Sequence, residues 1–135
     1  MHPLSIALVT GGSRGLGRAL CASLAADGWT VVTDGRDAPA LAAATGHPAV
    51  HAVPGDVTDE AHRRALVAAV DAQGPLALLV LNASMLGPSP QPPLADYPVD
   101  VLAAVYATNV LAPLRLVQLA LPRLRPGGAI VAVTS

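Results

Sequence analysis

Lysine is absent from this sequence, in which all eight basic residues are arginines. Any mechanism that requires a lysine amine is therefore closed to the chain acting alone. Cysteine occurs once, as Cys21, which excludes an internal disulfide and fits a reducing compartment. Charge is also scarce, since 13% of the 135 residues are charged and the net charge is −1. This balance gives no electrostatic basis for binding nucleic acid or an anionic membrane.

The sequence pattern also offers little that would direct the chain to a membrane or out of the cell. No apolar run approaches membrane-spanning length, and residues 76–81 form only a strand-sized one. The first residues have neither a basic flank nor a cleavage site and do not resemble a signal peptide. We therefore expect a cytoplasmic protein without a membrane partner. The four histidines do not have ligand spacing with Cys21, and we predict no metal site.

What is abundant is apolar sequence, at 53% of the chain, enough for a single domain over residues 1–135. Short β-rich runs alternate with longer helical segments. The predicted strands are 5–10, 30–33, 49–53, 76–81 and 129–133, and the predicted helices are 16–26, 38–44, 58–72 and 99–124. Thr58 is predicted to be an N-cap, and five prolines make 85–98 an extended loop. Near-continuous apolar strands separated by helices predict an α/β fold with a parallel sheet covered on both faces.

A glycine-rich segment, residues 10–17, lies between the first predicted strand and the first predicted helix. Glycine there lets the chain turn sharply, approach a pyrophosphate and pack the helix tightly on the strand. The helix N-terminus then presents unpaired N–H groups to the phosphates. The segment predicts a dinucleotide cradle, whose candidate cofactor-binding residues are Thr10, Gly11, Ser13, Arg14, Gly15, Leu16 and Gly17.

The spacing T-G-x-x-x-G-x-G in this segment resembles that of the short-chain dehydrogenase/reductase family. The resemblance extends over essentially the whole chain and implies a Rossmann-type, doubly wound parallel sheet with strand order 3-2-1-4-5. It also implies that this chain is the N-terminal, cofactor-binding half, truncated after the fifth strand. The activity implied is hydride transfer between the nicotinamide of NAD(P) and a small-molecule carbonyl or alcohol.

Two further segments match the family pattern at the ends of strands. Asp56 and Val57 follow the third strand, where the family keeps an aspartate beside the adenine. The alternative role of Asp56 is to form the turn into the next helix, and the two roles are compatible. Asn82, Ala83 and Ser84 follow the fourth strand and resemble the family's N-A-G segment beside the adenosine ribose. Ser84 replaces the usual glycine.

The end of the second predicted strand bears on nucleotide choice, because an acid there binds a free ribose 2′-hydroxyl and an arginine accommodates a 2′-phosphate. Gly35 falls where NAD-preferring relatives usually carry aspartate, and Arg36 follows it. Arg14 resembles the second basic site of NADP-preferring relatives, and two guanidinium groups can fork a phosphate. These residues predict NADP. A register shifted by one residue would make Asp34 the ribose ligand and favour NAD.

Asn109 and Ser135 match two members of the family's catalytic tetrad. Pro113 has no N–H to donate to the carbonyl of residue 109, so we expect a disturbed helix and a free carbonyl there. The family uses this carbonyl to hold a water in its proton relay. Ser135 resembles the substrate-polarising serine, although a terminal serine can also be functionally silent.

The family's acid/base pair, Tyr-x-x-x-Lys, is missing from this sequence, whose tyrosines are Tyr97 and Tyr106. Without lysine, Tyr106 is better explained by helix packing, and we expect this chain alone to be inactive. The alternatives are a nucleotide-binding module without turnover and a fragment that depends on a partner. The resemblance also implies a homo-oligomer formed through the apolar helix 99–124.

Overall fold

The computed structural model describes residues 4–134, which form one five-stranded parallel sheet in the order β3-β2-β1-β4-β5. The predicted fold class and strand order are therefore confirmed. The strands are β1 (Ile6–Val9), β2 (Thr30–Gly35), β3 (Val50–Pro54), β4 (Leu76–Leu81) and β5 (Leu124–Ala132). All four strand pairs are parallel.

The helices that connect these strands match the predicted segments, with shifts of a few residues at their ends. They are α1 (Gly15–Ala26), α2 (Ala38–Ala44), α3 (Glu60–Asp71), α4 (Val99–Tyr106) and α5 (Ala112–Ala120). A π turn at Ala107–Leu111 joins α4 to α5, and short 3₁₀ turns lie at Leu94–Asp96 and Leu121–Arg123. The loop over residues 85–98 is therefore irregular, as predicted, apart from its one short turn.

Two predicted boundaries are wrong. Asp59, not Thr58, is the N-cap of α3, and its carboxylate accepts the Ala61 N–H. The Thr58 hydroxyl donates instead to Asp56 Oδ1 at 2.8 Å, so it cannot serve the helix. Strand β5 begins at residue 124 rather than 129. Its pairing with β4 starts before the glycines, and the register shifts between the pairs Leu76–Leu124 and Leu78–Ala129.

The core has two layers because the buried side chains of β1 alternate between the faces of the sheet. Ile6 and Leu8 pack in the layer that contains α3 and α5, whereas Ala7 and Val9 pack against Cys21 of α1. All four β1 side chains are fully buried. Helices therefore cover both faces, and the ends of the central strands are held rigidly in place.

The helical run Val99–Arg123 is 25 residues long and has a mean hydropathy of 1.3 over its most apolar window. By length and composition alone this helix is long and apolar enough to cross a membrane, a test that the core helix of a folded domain also passes. Ala112, Leu116 and Ala120 pack in the core, while Leu111 and Leu114 are more than half exposed.

An ion-pair cluster fixes the start of α3 to α5. Glu60 accepts hydrogen bonds from Nε and Nη2 of Arg115, with the shortest contact at 2.8 Å, and also pairs with Arg63 and Arg64. The Arg115 hydrogen bonds, followed by those of Arg63 and the charge of Arg64, lower the pKa of Glu60 to about 2. The cluster is solvent-accessible, so its contribution is screened by salt.

This lowered pKa predicts a specific pH dependence of stability. A carboxyl whose folded-state pKa lies at about 2, below its ordinary 4.5, stabilises the fold above pH 4.5 and loses that effect as the pH falls toward 2. Glu60→Gln should therefore lower the melting temperature at neutral pH, and the difference from the unaltered protein should close across this window. Thermal melts at a series of pH values measure it. An Asp100→Asn control, on the exposed first turn of α4, should show no such convergence.

Candidate functional site

The carboxyl ends of the parallel strands open into a cleft of about 640 Å³. In this strand order β2 and β3 lie on one side of β1, whereas β4 and β5 lie on the other. Open α/β sheets bind their ligands at such a switch point, here between β1 and β4. The cleft lies at that edge and is lined by residues at or just after the ends of β1, β2, β3 and β4 and by one residue of the π turn: Gly11, Ser13, Arg14, Asp34, Gly35, Arg36, Asp37, Gly55, Asp56, Val57, Asn82, Ala83, Ser84 and Thr108.

Most of the candidate cofactor residues are brought together there. Among the residues lining the cleft are Gly11, Ser13 and Arg14 of the glycine-rich loop and Arg36, together with Asp56, Val57, Asn82, Ala83 and Ser84. The other loop candidates do not line it. Thr10 and Gly17 are buried beneath the loop, whereas Gly15 and Leu16 are exposed at the start of α1.

One side of the loop is held by the segment that follows β4. Thr10 Oγ1 accepts the backbone N–H groups of Asn82 and Ala83 at 3.0 and 2.9 Å. In return, Asn82 Nδ2 donates to the carbonyls of Thr10 and Gly11 at 3.1 and 3.3 Å. The Asn82 side chain thus links the end of β4 to the end of β1.

The other side of the loop is held by Asp34. Its Oδ1 accepts the Gly11 N–H at 2.7 Å, and its backbone carbonyl accepts the Gly12 N–H at 2.9 Å. The second carboxylate oxygen, Oδ2, lies 2.8 Å from Nε2 of His62. Only 2% of Asp34 is exposed. Both oxygens have protein partners, which counts against the shifted register that would make Asp34 the ribose ligand.

Two glycines of the motif are required by this geometry for different reasons. A Cβ at residue 17 would overlap the Gly11 carbonyl oxygen and crowd Asn82 Nδ2, so only glycine allows α1 to pack this closely on the loop. Gly15 has a φ of +56°, and a Cβ there would meet open space. The loop therefore leaves the first residue of α1, Gly15, without a side chain that could obstruct a ligand.

That first turn is suited to an anion. Arg14 is the N-cap residue of α1, and within residues 4–134 no side chain caps the helix through a hydrogen bond. The first N–H groups of α1 and the positive end of its dipole thus lack a side-chain acceptor. A pyrophosphate supplies the acceptors that such a terminus requires.

Charge at the far wall of the cleft comes from Arg36 and Asp56. The pKa of Asp56 is lowered, first because the Thr58 N–H donates to its carboxylate and also because Arg36 lies nearby. Its Oδ1 accepts both the N–H and the hydroxyl of Thr58, at 2.9 and 2.8 Å. Asp56 therefore forms the turn into α3 and also lines the cleft, so the turn and the adenine contact are compatible.

The candidate catalytic residues are less closely associated with the cleft. Asn109 lies on the π turn, and its side chain exchanges two 2.8 Å hydrogen bonds with the backbone of Met85. The π turn ends two residues before Pro113, so the expected disturbance of the helix is present. The free carbonyl of Asn109 stays a prediction. Ser135 lies outside the described residues.

Sequence reasoning missed four contributions to this site. His62 was considered only as a metal ligand, and Asp37, Gly55 and Thr108, which line the cleft, were not among the candidates. The carboxylate of Asp34 and the ring of His62 lie 28 positions apart in the chain, and nothing in their spacing indicates a contact. Thr108 adjoins Asn109 and could have been found from the same motif.

Comparison with known proteins places this geometry in a class of dinucleotide-binding α/β enzymes. The short chain dehydrogenase family model matches residues 5–135. A short chain dehydrogenase of Pseudocercospora fijiensis is 34% identical, over 96% of this chain and 44% of its own length. The 3-oxoacyl-acyl-carrier-protein reductase of rhamnolipid biosynthesis from Pseudomonas aeruginosa is 36% identical, over 93% of this chain and 52% of its own.

Solved structures show the same likeness. A 3-ketoacyl-ACP reductase from Sinorhizobium meliloti superposes with a TM-score of 0.88 at 33% identity, covering 96% of this chain and 53% of its own. The chain belongs to the short-chain dehydrogenase/reductase family. It spans about half the length of the curated relatives it matches.

The family implies a nicotinamide dinucleotide, and the residues present fit one. The bare turn at Gly15, the uncapped first turn of α1 and the polar rim of the cleft meet at the same edge of the sheet. An extended, doubly anionic ligand suits that combination of open backbone and cationic side chains.

Close packing at Gly17 can be tested directly. Gly17→Ala should lower the free energy of unfolding by about 1–3 kcal/mol, the range for overpacking an interior, because backbone rather than a flexible side chain opposes the new methyl group. Urea denaturation measures the change. Gly46→Ala is the matched control, since its Cβ meets open space, and it should stay within about 0.5 kcal/mol. Equal stabilities for the two variants would contradict the proposed packing constraint.

Proposed function

We propose that the protein is the cofactor-binding part of an NADP(H)-dependent oxidoreductase that transfers hydride between nicotinamide and a carbonyl or alcohol carbon. Family membership supports the reaction class. The observation that carries the nucleotide preference is that Arg14 and Arg36 line one cleft in which both carboxylate oxygens of Asp34 already have protein partners.

Each part of the dinucleotide has a proposed set of partners in the cleft. The first turn of α1, with Ser13, binds the pyrophosphate, and Arg14 and Arg36 bind the ribose 2′-phosphate. Asp56 and Val57 contact the adenine, while the segment 82–84 lies beside the adenosine ribose. Because a guanidinium forms two parallel hydrogen bonds with a phosphate, two arginines add geometric selectivity to charge.

The bound cofactor supplies or accepts the hydride, and the chain's own residues position it. Asn109 ties the loop after β4 to the long helix through Met85, which keeps that wall of the cleft in place. Its backbone carbonyl is the proposed holder of a relay water, and Ser135 is the proposed polariser of the substrate oxygen.

We assign the proton donor to neither tyrosine of this chain. Tyr106 is 55% exposed on α4, and Tyr97 lies in the loop over residues 85–98. An ordinary tyrosine has a pKa of about 10, too high for an efficient base at neutral pH without a cationic neighbour. The sequence has no lysine to provide one. We therefore propose that the chain by itself binds nucleotide without turnover. The alternative function, a non-catalytic nucleotide-binding module, predicts the same behaviour.

The proposed substrate is a small molecule with a ketone or secondary alcohol. Two of the similar proteins are named as reductases of 3-oxoacyl or 3-ketoacyl groups carried on a protein, which fits this class. The compartment proposed is the cytoplasm, where NADP(H) is available to such reductases.

The exposed face of the long helix is the proposed contact for a second copy. Val99, Leu102, Leu111, Leu114 and Leu121 expose between 42% and 79% of their surface there. Apolar surface of this extent marks interaction sites more often than bare solvent contact. A second copy of the chain packed on this face would bury these apolar residues, so no membrane is needed to cover them.

Fluorescence titrations of NADPH and NADH test the nucleotide preference. Arg36→Ala should weaken NADPH binding about 10- to 100-fold, the equivalent of one charge-assisted contact, and barely affect NADH, which lacks the 2′-phosphate. Arg125→Ala is the control, since Arg125 lies on β5 away from the cleft and donates to the Leu4 carbonyl. Equal losses for both nucleotides, or tighter binding of NADH by the unaltered protein, would contradict the proposal.

A further inference from the structure

Asp34 and His62 form a buried pair, and the proposed function assigns neither residue a direct role. They are 2% and 6% exposed, and Oδ2 of Asp34 lies 2.8 Å from Nε2 of His62. A carboxylate accepts hydrogen bonds, and the ring of His62 can donate one from Nε2 in the tautomer that carries the proton there. The pair joins the end of β2 to α3 directly beneath the glycine-rich loop.

The carboxylate needs this partner because burial removes its water. Oδ1 is satisfied by the Gly11 N–H at 2.7 Å, and within the part of the chain that the structure describes His62 supplies the hydrogen bond to Oδ2. A buried carboxylate that loses one hydrogen-bond partner is destabilised, so it turns toward water. The nearest open space is the cleft, which Asp34 already borders.

The position of His62 is fixed by close packing. A Cβ at Gly55 would overlap the His62 ring, so the ring lies directly against the backbone that follows β3. The ring therefore has little room to leave Asp34, and its contact with the carboxylate is maintained by the shape of the site.

The orientation of the Asp34 carboxylate matters for the nucleotide because Gly35 and Arg36 follow it on the same wall of the cleft. Turned outward, the carboxylate would repel a 2′-phosphate and offer an acceptor to a free 2′-hydroxyl. Turned inward, it orients the Gly11 N–H and leaves the arginines as the dominant charges there. The orientation of this one carboxylate thus decides between a preference for a 2′-phosphate and a preference for a free 2′-hydroxyl.

We propose that His62 is a positioning residue for nucleotide selection: by holding Asp34 inward against Gly11, it keeps the ribose wall of the cleft selective for a 2′-phosphate. The inference rests on the proposed NADP preference and deepens it. His62 acts through Asp34 and contacts no part of the nucleotide.

The experiment compares two fragments that differ only in the 2′-phosphate, 2′,5′-ADP and 5′-AMP, by titration calorimetry. His62→Ala should reduce the ratio of their affinities at least tenfold, mainly by weakening 2′,5′-ADP. His62→Gln should keep the ratio within threefold of the unaltered value, because its amide can donate from the position of Nε2. His51→Ala is the control, since His51 is exposed on β3. Should His62→Ala not fold, as judged by circular dichroism, His62→Leu retains the volume without a donor and is held to the same criterion.

A double variant separates selection from general stability. Adding Asp34→Asn to His62→Ala removes the freed charge, and the ratio should return toward the unaltered value. If His62→Ala weakens both fragments by the same factor, His62 only stabilises the fold and the inference is overturned. If the unaltered protein shows no preference for 2′,5′-ADP, the NADP proposal itself fails, and that outcome is visible before any variant is measured.

Discussion

The backbone at Thr10 and Gly11 is held between two side chains from neighbouring strands, and the rest of the site depends on this constraint. Asn82 donates to both carbonyls from the β4 side, while the Asp34 carboxylate accepts the Gly11 N–H from the β2 side. Each side chain lies at the carboxyl end of a strand that pairs directly with β1. The sheet thereby determines where the loop runs, and the loop determines where α1 begins.

This arrangement gives two glycines of the motif different surroundings, since one is closely packed and the other borders open space. Gly17 packs against the loop's own carbonyl, which is already fixed by Asn82, so neither partner can move away. Gly15 borders open space at the start of the helix, where a ligand can approach the N–H groups. One glycine therefore serves packing and the other serves access, although the sequence presents both as members of one pattern.

The parallel α/β fold and the position of the cleft could be predicted from local signals, whereas the strand order came from the resemblance to the family. Near-continuous apolar runs such as residues 76–81 indicate buried parallel strands, and glycine spacing indicates the turn between β1 and α1. Contacts between distant residues could not be predicted. The pairing of Asp34 with His62 requires knowing how α3 packs beneath β2, and no spacing in the chain records that. The cap of α3 was misplaced by one residue because Asp56 competes for the Thr58 hydroxyl.

The long helix also combines a feature that could be predicted from the sequence with contacts that could not. Pro113 correctly predicts a disturbance, which takes the form of a π turn over Ala107–Leu111. The two hydrogen bonds of the Asn109 side chain to Met85 were not foreseen, since they depend on the path of the proline-rich loop. The exposure of the apolar residues along the run also depends on which of its sides faces the sheet.

A crystal structure of the protein with NADP+ tests the central claim most directly. It should place the pyrophosphate against the first turn of α1, with the 2′-phosphate between Arg14 and Arg36 and Asp34 still bonded to Gly11. A pyrophosphate bound elsewhere, or an Asp34 carboxylate in contact with the ribose, would contradict the account.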